Sequence, residues 1–255
     1  MIKVGLVGFG KAGQAVATVL LEDPRYELCW IARQSTGGLV QLTPEVAVPS
    51  VALTTPQAWA DWLAVHPVDA LVDFSKPASL HAYGEQVRQR GLMLVSAISA
   101  YSAQDLAYAH QLGTQARVLC SPNITVGINF LILAARLLRT IAPFADVEIL
   151  EQHFRDKPEV SGTARKIAQS IDVDEDRITS LRLGGIVGHH EVIFGFPYQT
   201  VRLIHNSIER RAFGTGAAFA LAQLAERSNG FYTFDDLMMH MVRQELMKTP
   251  TTSPL

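Results

Sequence analysis

The segment Glu151-Gln152-His153-Phe154-Arg155-Asp156-Lys157-Pro158-Glu159-Val160-Ser161-Gly162-Thr163-Ala164 is the densest run of polar and ionisable side chains in the sequence. A strand-like stretch ends in an imidazole, an ammonium follows four residues later, and Ser-Gly-Thr opens a helical pattern. A helix start offers unpaired amides and the positive end of the helix dipole. Ser161, Gly162 and Thr163 therefore suit a carboxylate, with Lys157 as its countercharge. His153 can give up a proton near neutral pH. A lone histidine is more often structural, but beside an anion site it reads as a proton donor.

A second arrangement lies at the other end of the sequence. Gly8, Gly10 and Gly13 form G-x-G-x-x-G directly after an apolar strand and at the opening of a helix. The first glycine permits a tight turn, the second admits a pyrophosphate, and the third lets helix and strand pack closely. NAD sites place a carboxylate about 20 residues further on, whereas NADP sites place an arginine there. The second strand ends Trp30-Ile31-Ala32-Arg33-Gln34-Ser35 with no carboxylate. Arg33, helped by Gln34 and Ser35, suits a 2′-phosphate, so NADPH is expected ahead of NADH.

The elements that must position these groups fall into two rhythms. Strands are expected at 2–7, 27–32, 47–53, 70–74, 92–95 and 117–120, with helices at 12–21, around Trp59 and Trp62, at 78–90 and at 103–112. Strands alternating with helices imply a parallel sheet with right-handed crossovers. After Cys120 the pattern changes. A long amphipathic helix is expected over 126–141, with Phe130, Leu133, Leu137 and Leu138 on one face. A strand at 146–153 and a helix at 163–171 follow, then three strands near 177–183, 190–196 and 200–206. Consecutive strands without helices between them suggest an antiparallel or mixed sheet. Helices at 214–227 and 234–247 close the chain, and the tail from Thr249 is expected to fray.

Composition narrows the class. The 255 residues carry 22 Lys+Arg against 24 Asp+Glu, a net charge of −2, which argues against a nucleic-acid footprint. The most apolar stretch, Phe130 to Leu138, contains Arg136 and is shorter than the roughly 20 residues a membrane span requires. No signal peptide is visible and a cytoplasmic protein is expected. Cys29 and Cys120 lack metal-ligand spacing and are read as buried free thiols. No metal is expected: His189, His190 and Glu191 are adjacent on a strand and point to alternate faces. The low charged fraction, 18%, leaves room for buried subunit contacts.

Taken in order, these motifs resemble the dihydrodipicolinate reductase family, which reduces a cyclic dicarboxylate in lysine and diaminopimelate biosynthesis using NADPH or NADH. The glycine turn matches Gly8 to Gly13. The family's Asp-Phe-Ser/Thr-x-Pro appears as Asp73-Phe74-Ser75-Lys76-Pro77, and its Asn-x-Ser-Val-Gly-x-Asn as Asn123-Ile124-Thr125-Val126-Gly127-Ile128-Asn129. Its Glu-x-His-His-x-x-Lys and Ser-Gly-Thr-Ala appear as Glu151 to Lys157 and Ser161 to Ala164. Gly185 to His190, then His205, Arg210, Phe213 and Gly216, fit its later sheet and closing pattern.

The resemblance implies an α/β protein. A Rossmann-type cofactor domain would be built from 1–125 and 214–255, with a central α+β domain over 126–213 for substrate and assembly. It implies His153 as general acid, Lys157 as the substrate-binding cation, and Ser161, Gly162 and Thr163 as the carboxylate turn. The cofactor would lie along Gly8, Phe9, Gly10, Lys11, Ala12, Gly13, Arg33, Phe74, Ser75, Ser96, Ala97, Ile98, Ser121 and Asn123. The partners implied are a small cyclic dicarboxylate and further copies of the chain, in a homotetramer or homodimer, with no nucleic acid and no membrane. Two departures touch the site: the paired histidines are His153-Phe154 here, and the family's Gly-Thr-Thr-Gly loop is Ser96-Ala97-Ile98-Ser99. They leave open a reductase of another imine or ene-amine carboxylate, or a non-catalytic NADP-binding paralogue.

Overall fold

A computed structural model of the chain describes residues 1–35 and 37–248; the tail expected to fray lies outside them. The chain divides into two compact units, one formed by Met1–Ile124 with the segment from Phe213 onward, the other by Thr125–Ala212.

The first unit opens with β1 (Ile2–Val7), α1 (Lys11–Glu22), β2 (Tyr26–Ala32), β3 (Gly38–Gln41), β4 (Ala47–Val51) and α2 (Pro56–Val65). It continues with β5 (Ala70–Asp73), α3 (Pro77–Arg90), β6 (Met93–Ser96), α4 (Ala103–Leu112) and β7 (Arg117–Cys120). Its eight-stranded sheet is completed from the far end of the chain by β12 (Gly230–Tyr232), giving the order β12-β7-β6-β5-β1-β2-β4-β3. All neighbours are parallel except β3 against β4. Strands buried on both faces read as continuous apolar runs, and β5, β6 and the end of β1 are buried at every position.

Registers place Ala32 beside Val7, Val7 beside Asp73, Asp73 beside Ser96 and Ser96 beside Cys120. These strand ends form one row along the carboxyl edge of the sheet. The chain leaves β1 in one direction for β2 and β4, then returns to β1's other side at β5. That reversal is where α/β sheets open a ligand crevice. The indoles of Trp59 and Trp62 both meet Trp30 edge-on, at 5.9 and 6.2 Å between ring centroids, which fixes α2 against the sheet. Strands β3 and β12 were not anticipated from the sequence; each begins with glycine and carries only two apolar residues.

The second unit contains α5 (Val126–Ile141), β8 (Asp146–His153), α6 (Gly162–Ser170), β9 (Ile178–Arg182), β10 (Gly188–Phe196) and β11 (Gln199–Ser207). Its sheet has the order β11-β10-β8-β9. Strand β10 is antiparallel to both neighbours, whereas β9 is parallel to β8 because α6 carries the chain across. The sheet is therefore mixed. The expected face of α5 is corrected. Ile128, Leu131, Ile132 and Ala135 turn inward, while Phe130 and Leu137 are 57% and 42% exposed. The spacing i, i+3, i+4, i+7 from Ile128 makes the core stripe, and Phe130, Leu137 and Ile141 line an outer one. The closing helices are α7 (Arg211–Ala225), which begins three residues earlier than expected, and α8 (Phe234–Met247). Among the described residues, no helix is long and apolar enough to cross a membrane. Cys29 and Cys120 are free.

Candidate active site

In the first unit the glycine turn follows β1 at the sheet reversal. Gly8 has φ +90°, and a Cβ there would lie 2.8 Å from the Phe74 backbone. A Cβ on Gly13 would lie 2.1 Å from the Gly8 carbonyl oxygen. Around Gly10, by contrast, a Cβ would meet nothing within 4 Å, so the backbone is open to approach. Gly10 precedes α1, and no side chain among the described residues caps that helix start. Uncapped first-turn amides beside an open glycine fit the pyrophosphate of a dinucleotide.

A cleft of about 790 Å³ extends from this turn. Of the cofactor residues expected from the sequence, Gly8, Phe9, Gly10, Arg33, Phe74 and Ser75 line it. Gln34, Ser35, Thr54, Lys76 and Ser79 join them. The remaining expected residues do not line the cleft. Lys11, Ala12 and Gly13 form the first turn of α1. Ser96 turns its hydroxyl to Tyr101 (2.8 Å), the Ala97 amide donates to the Asp73 carbonyl, and Ile98 is buried. The Ser121 hydroxyl donates to the Asn123 carbonyl at 2.7 Å. Asp73, read from the sequence only as the first residue of the Asp-Phe-Ser-Lys-Pro motif, is fully buried beside the cleft-lining Phe74. Its carboxyl accepts from the Ser75 amide (2.8 Å), the Ser75 hydroxyl (2.6 Å) and the Tyr83 hydroxyl (2.6 Å). Burial raises this carboxyl to about 6, against the pull of those donors.

In the second unit, His153 ends β8 and is 8% exposed. Its Nδ1 lies 2.5 Å from Oε2 of Glu151, two residues earlier on the same strand face. Glu151 is fully buried and held from several sides. Arg182 on β9 gives it a two-pronged pair, Nη1 to Oε2 at 3.0 Å and Nη2 to Oε1 at 2.8 Å. The Ser180 hydroxyl (2.7 Å) and the Ser161 amide (3.2 Å) complete the set. Burial alone would raise Glu151, but the bonds from Arg182, Ser180, His153 and Ser161 outweigh it and hold the carboxyl down at about 2. An ionised carboxylate only accepts, so Nδ1 of His153 carries the proton of this bond and Nε2 is left outside it. The space beside Nε2 is kept by Gly188, whose Cβ would lie 3.2 Å from it.

Arg182 also ties down the loop that carries Lys157. Its Nε donates to the Lys157 carbonyl (3.0 Å) and Nη2 to the Glu159 carbonyl (2.7 Å). Lys157 is half-buried, Phe154 is 44% exposed, and Gly162 and Thr163 begin α6 at the surface. The structure thus brings His153 and Ser161 onto one buried network through Glu151. Glu151 was legible in principle, since i and i+2 share a strand face. Arg182 was not, because only the β8–β9 register, with His153 beside Arg182 and Glu151 beside Ser180, brings it there. His189 bonds Asn206 and His190 bonds Ser161, so the adjacent imidazoles serve different surroundings.

Comparison with known proteins agrees with both halves. The dihydrodipicolinate reductase N-terminus family matches residues 2–124, and the dihydrodipicolinate reductase C-terminus family matches 124–238. A protein of Rhodopseudomonas palustris named 4-hydroxy-tetrahydrodipicolinate reductase is 31% identical over 248 residues, covering 88% of each chain. One of the same name from Caldanaerobacter subterraneus is 27% identical over 252 residues, covering 90% of this chain and 94% of the relative. In fold, the chain is similar to the dipicolinate-bound dihydrodipicolinate reductase of Paenisporosarcina sp. TG-14. The TM-score is 0.77 at 23% identity, over 91% of this chain and 97% of that one. The chain therefore belongs to the dihydrodipicolinate reductase family, an oxidoreductase family that uses NAD(P)H.

Proposed function

We propose that this chain reduces a cyclic dicarboxylate of the 4-hydroxy-tetrahydrodipicolinate type in lysine and diaminopimelate biosynthesis, with NADPH preferred over NADH. The observation that carries the reading is the Glu151–His153–Ser161 network, in which an ionised carboxylate backs an imidazole beside a helix start. When bound, the dihydronicotinamide supplies a hydride to a ring carbon. His153 supplies the accompanying proton from Nε2, and Glu151 stabilises the imidazolium before transfer. Lys157 meets the substrate as a cation, while Ser161, Gly162 and Thr163 hold one carboxylate. Two anionic handles fix the ring, and positioning supplies much of the rate. Gly8, Gly10 and the start of α1 would hold the pyrophosphate. Arg33, Gln34 and Ser35, all lining the cleft, support the 2′-phosphate reading.

The test is oxidation of NADPH and of NADH by the purified protein with freshly generated substrate. Turnover favouring NADPH is expected; a protein that binds cofactor and turns over nothing contradicts the reading. A homotetramer or homodimer is part of the proposal, supported by exposed Ile204 and Ile208 in and just after the edge strand β11 and by the outer stripe of α5. Sedimentation would check it. Residence in the cytoplasm accords with the free cysteines.

The second reading is a reductase of another imine or ene-amine carboxylate, favoured by the apolar, part-exposed Phe154 directly after His153. Phe154→His is expected to raise turnover of the dipicolinate-type substrate if the site has diverged, and to change stability by less than about 0.5 kcal/mol. Steady-state kinetics of both proteins on both substrate classes decide between the readings.

A further inference from the structure

Ser161 immediately precedes α6, where a serine hydroxyl ordinarily accepts a hydrogen bond from the second or third amide of its own helix. Here that cap bond is not made. The hydroxyl is instead drawn to β10, where Oγ lies 2.8 Å from Nε2 of His190. His190 is 4% exposed, and its other nitrogen, Nδ1, is buried with no hydrogen-bond partner among the described residues. The neighbouring rings do not satisfy it: His153 meets His190 edge-on, with centroids 5.3 Å apart.

The placement of one proton follows from this geometry. Burial, reinforced by the positive charge that His153 and His205 can carry, pushes His190 down to about 3, so the ring is neutral at working pH and holds a single proton. A proton on Nδ1 would leave a buried N–H with no acceptor, and the Ser161 hydroxyl proton would be used up on Nε2. A proton on Nε2 instead donates to Oγ, and the one unsatisfied atom is a lone pair. A buried donor without an acceptor is the more costly defect. The Nε2–H form is therefore favoured, and the hydroxyl proton is left over.

We infer that His190 is a positioning residue which, as its Nε2–H tautomer, makes the Ser161 hydroxyl a hydrogen-bond donor for an anionic group of the substrate held at the start of α6. The inference rests on the carboxylate reading of Ser161, Gly162 and Thr163 proposed above. A serine that capped its helix would accept from an amide there; this one leaves its own proton to the anion. His190 acts only through Ser161.

Two measurements test it on the full chain with NADPH bound. The first is the tautomer, read from long-range nitrogen–proton correlations of the histidine rings in labelled protein. The Nε2–H form of His190 is expected; the Nδ1–H form, or an imidazolium at neutral pH, overturns the inference. The second is a double-mutant cycle with dipicolinate as the probe. His190→Leu and Ser161→Ala are each expected to weaken dipicolinate binding by roughly ten- to hundredfold. NADPH affinity should be unchanged, and the double variant should be no weaker than the single ones. His190→Gln, whose amide can donate from the same place, should recover part of the loss. Additive losses, or equal losses in Gln and Leu, overturn the inference. If the wild type binds no dipicolinate, the carboxylate reading fails, and the tautomer still decides the role of His190.

Discussion

Asp73 in the first unit and Glu151 in the second are both fully buried, yet they are held in opposite ways. Among the described residues, Asp73 has only hydroxyl and amide donors around it, and burial pushes it up to about 6. Glu151 has the guanidinium of Arg182 as well, and is held down at about 2 despite its burial. The difference reflects how the two sites are built. The cleft of the first unit is shaped by backbone, through glycines and an uncapped helix start. Its buried acid holds a turn together and needs no permanent charge. The second site is shaped by side chains, and there the buried negative charge lies against the His153 ring.

The strongest way to break this contrast is to remove the cation. Arg182→Met takes the guanidinium from buried Glu151 and leaves it only His153, Ser180 and Ser161, and taking one partner from a buried ion pair costs about 3–5 kcal/mol. A matching drop in stability is expected in urea unfolding, with NADPH affinity retained if the folded fraction is accounted for. The counterpart in the first unit is Gly13→Ala, which forces a methyl group against the Gly8 carbonyl oxygen. Strain of about 1–3 kcal/mol translates to a roughly ten- to hundredfold loss of NADPH affinity, measured by fluorescence titration.

Smaller effects sharpen the comparison through pH. The Glu151 carboxyl is depressed, so its stabilisation is present above the ordinary glutamate value of 4.5 and is lost as pH falls toward about 2. Glu151→Gln should therefore lower stability at neutral pH and flatten the acid side of the profile. Asp73 is raised, so the folded state binds the extra proton between 3.8 and about 6, and stability falls as pH rises through that window. Asp73→Asn should gain roughly 1–2 kcal/mol above pH 7, with the gain fading below pH 4. Chemical denaturation across pH checks both signs. Two profiles of the same sign would show that the carboxylates are not held differently.

The same contrast explains what could be read from the sequence. A backbone-built site announces itself locally, because Gly8, Gly10 and Gly13 must occur in order over six residues. The central strands of the first unit were legible as short apolar runs separated by helical stretches. The segment from His153 to Thr163 was legible as a concentration of reactive types. What was hidden is the layer behind it. Arg182, Ser180 and His190 come from β9 and β10, and only the register of those strands against β8 makes them neighbours. The face of α5 was misread because its apolar residues run nearly all round the helix, and periodicity cannot say which stripe meets the core.

In the proposed function, cofactor binding belongs to the backbone-built cleft and proton and substrate chemistry to the side-chain network. Lys157→Ala, assayed in one preparation for NADPH affinity and for turnover of freshly generated substrate, tests that division most directly. Lys157 is half-buried in a loop whose backbone Arg182 already holds, so the fold should persist. Turnover is expected to fall by roughly a hundredfold or more while the NADPH dissociation constant is unchanged. Loss of both in equal measure would contradict it.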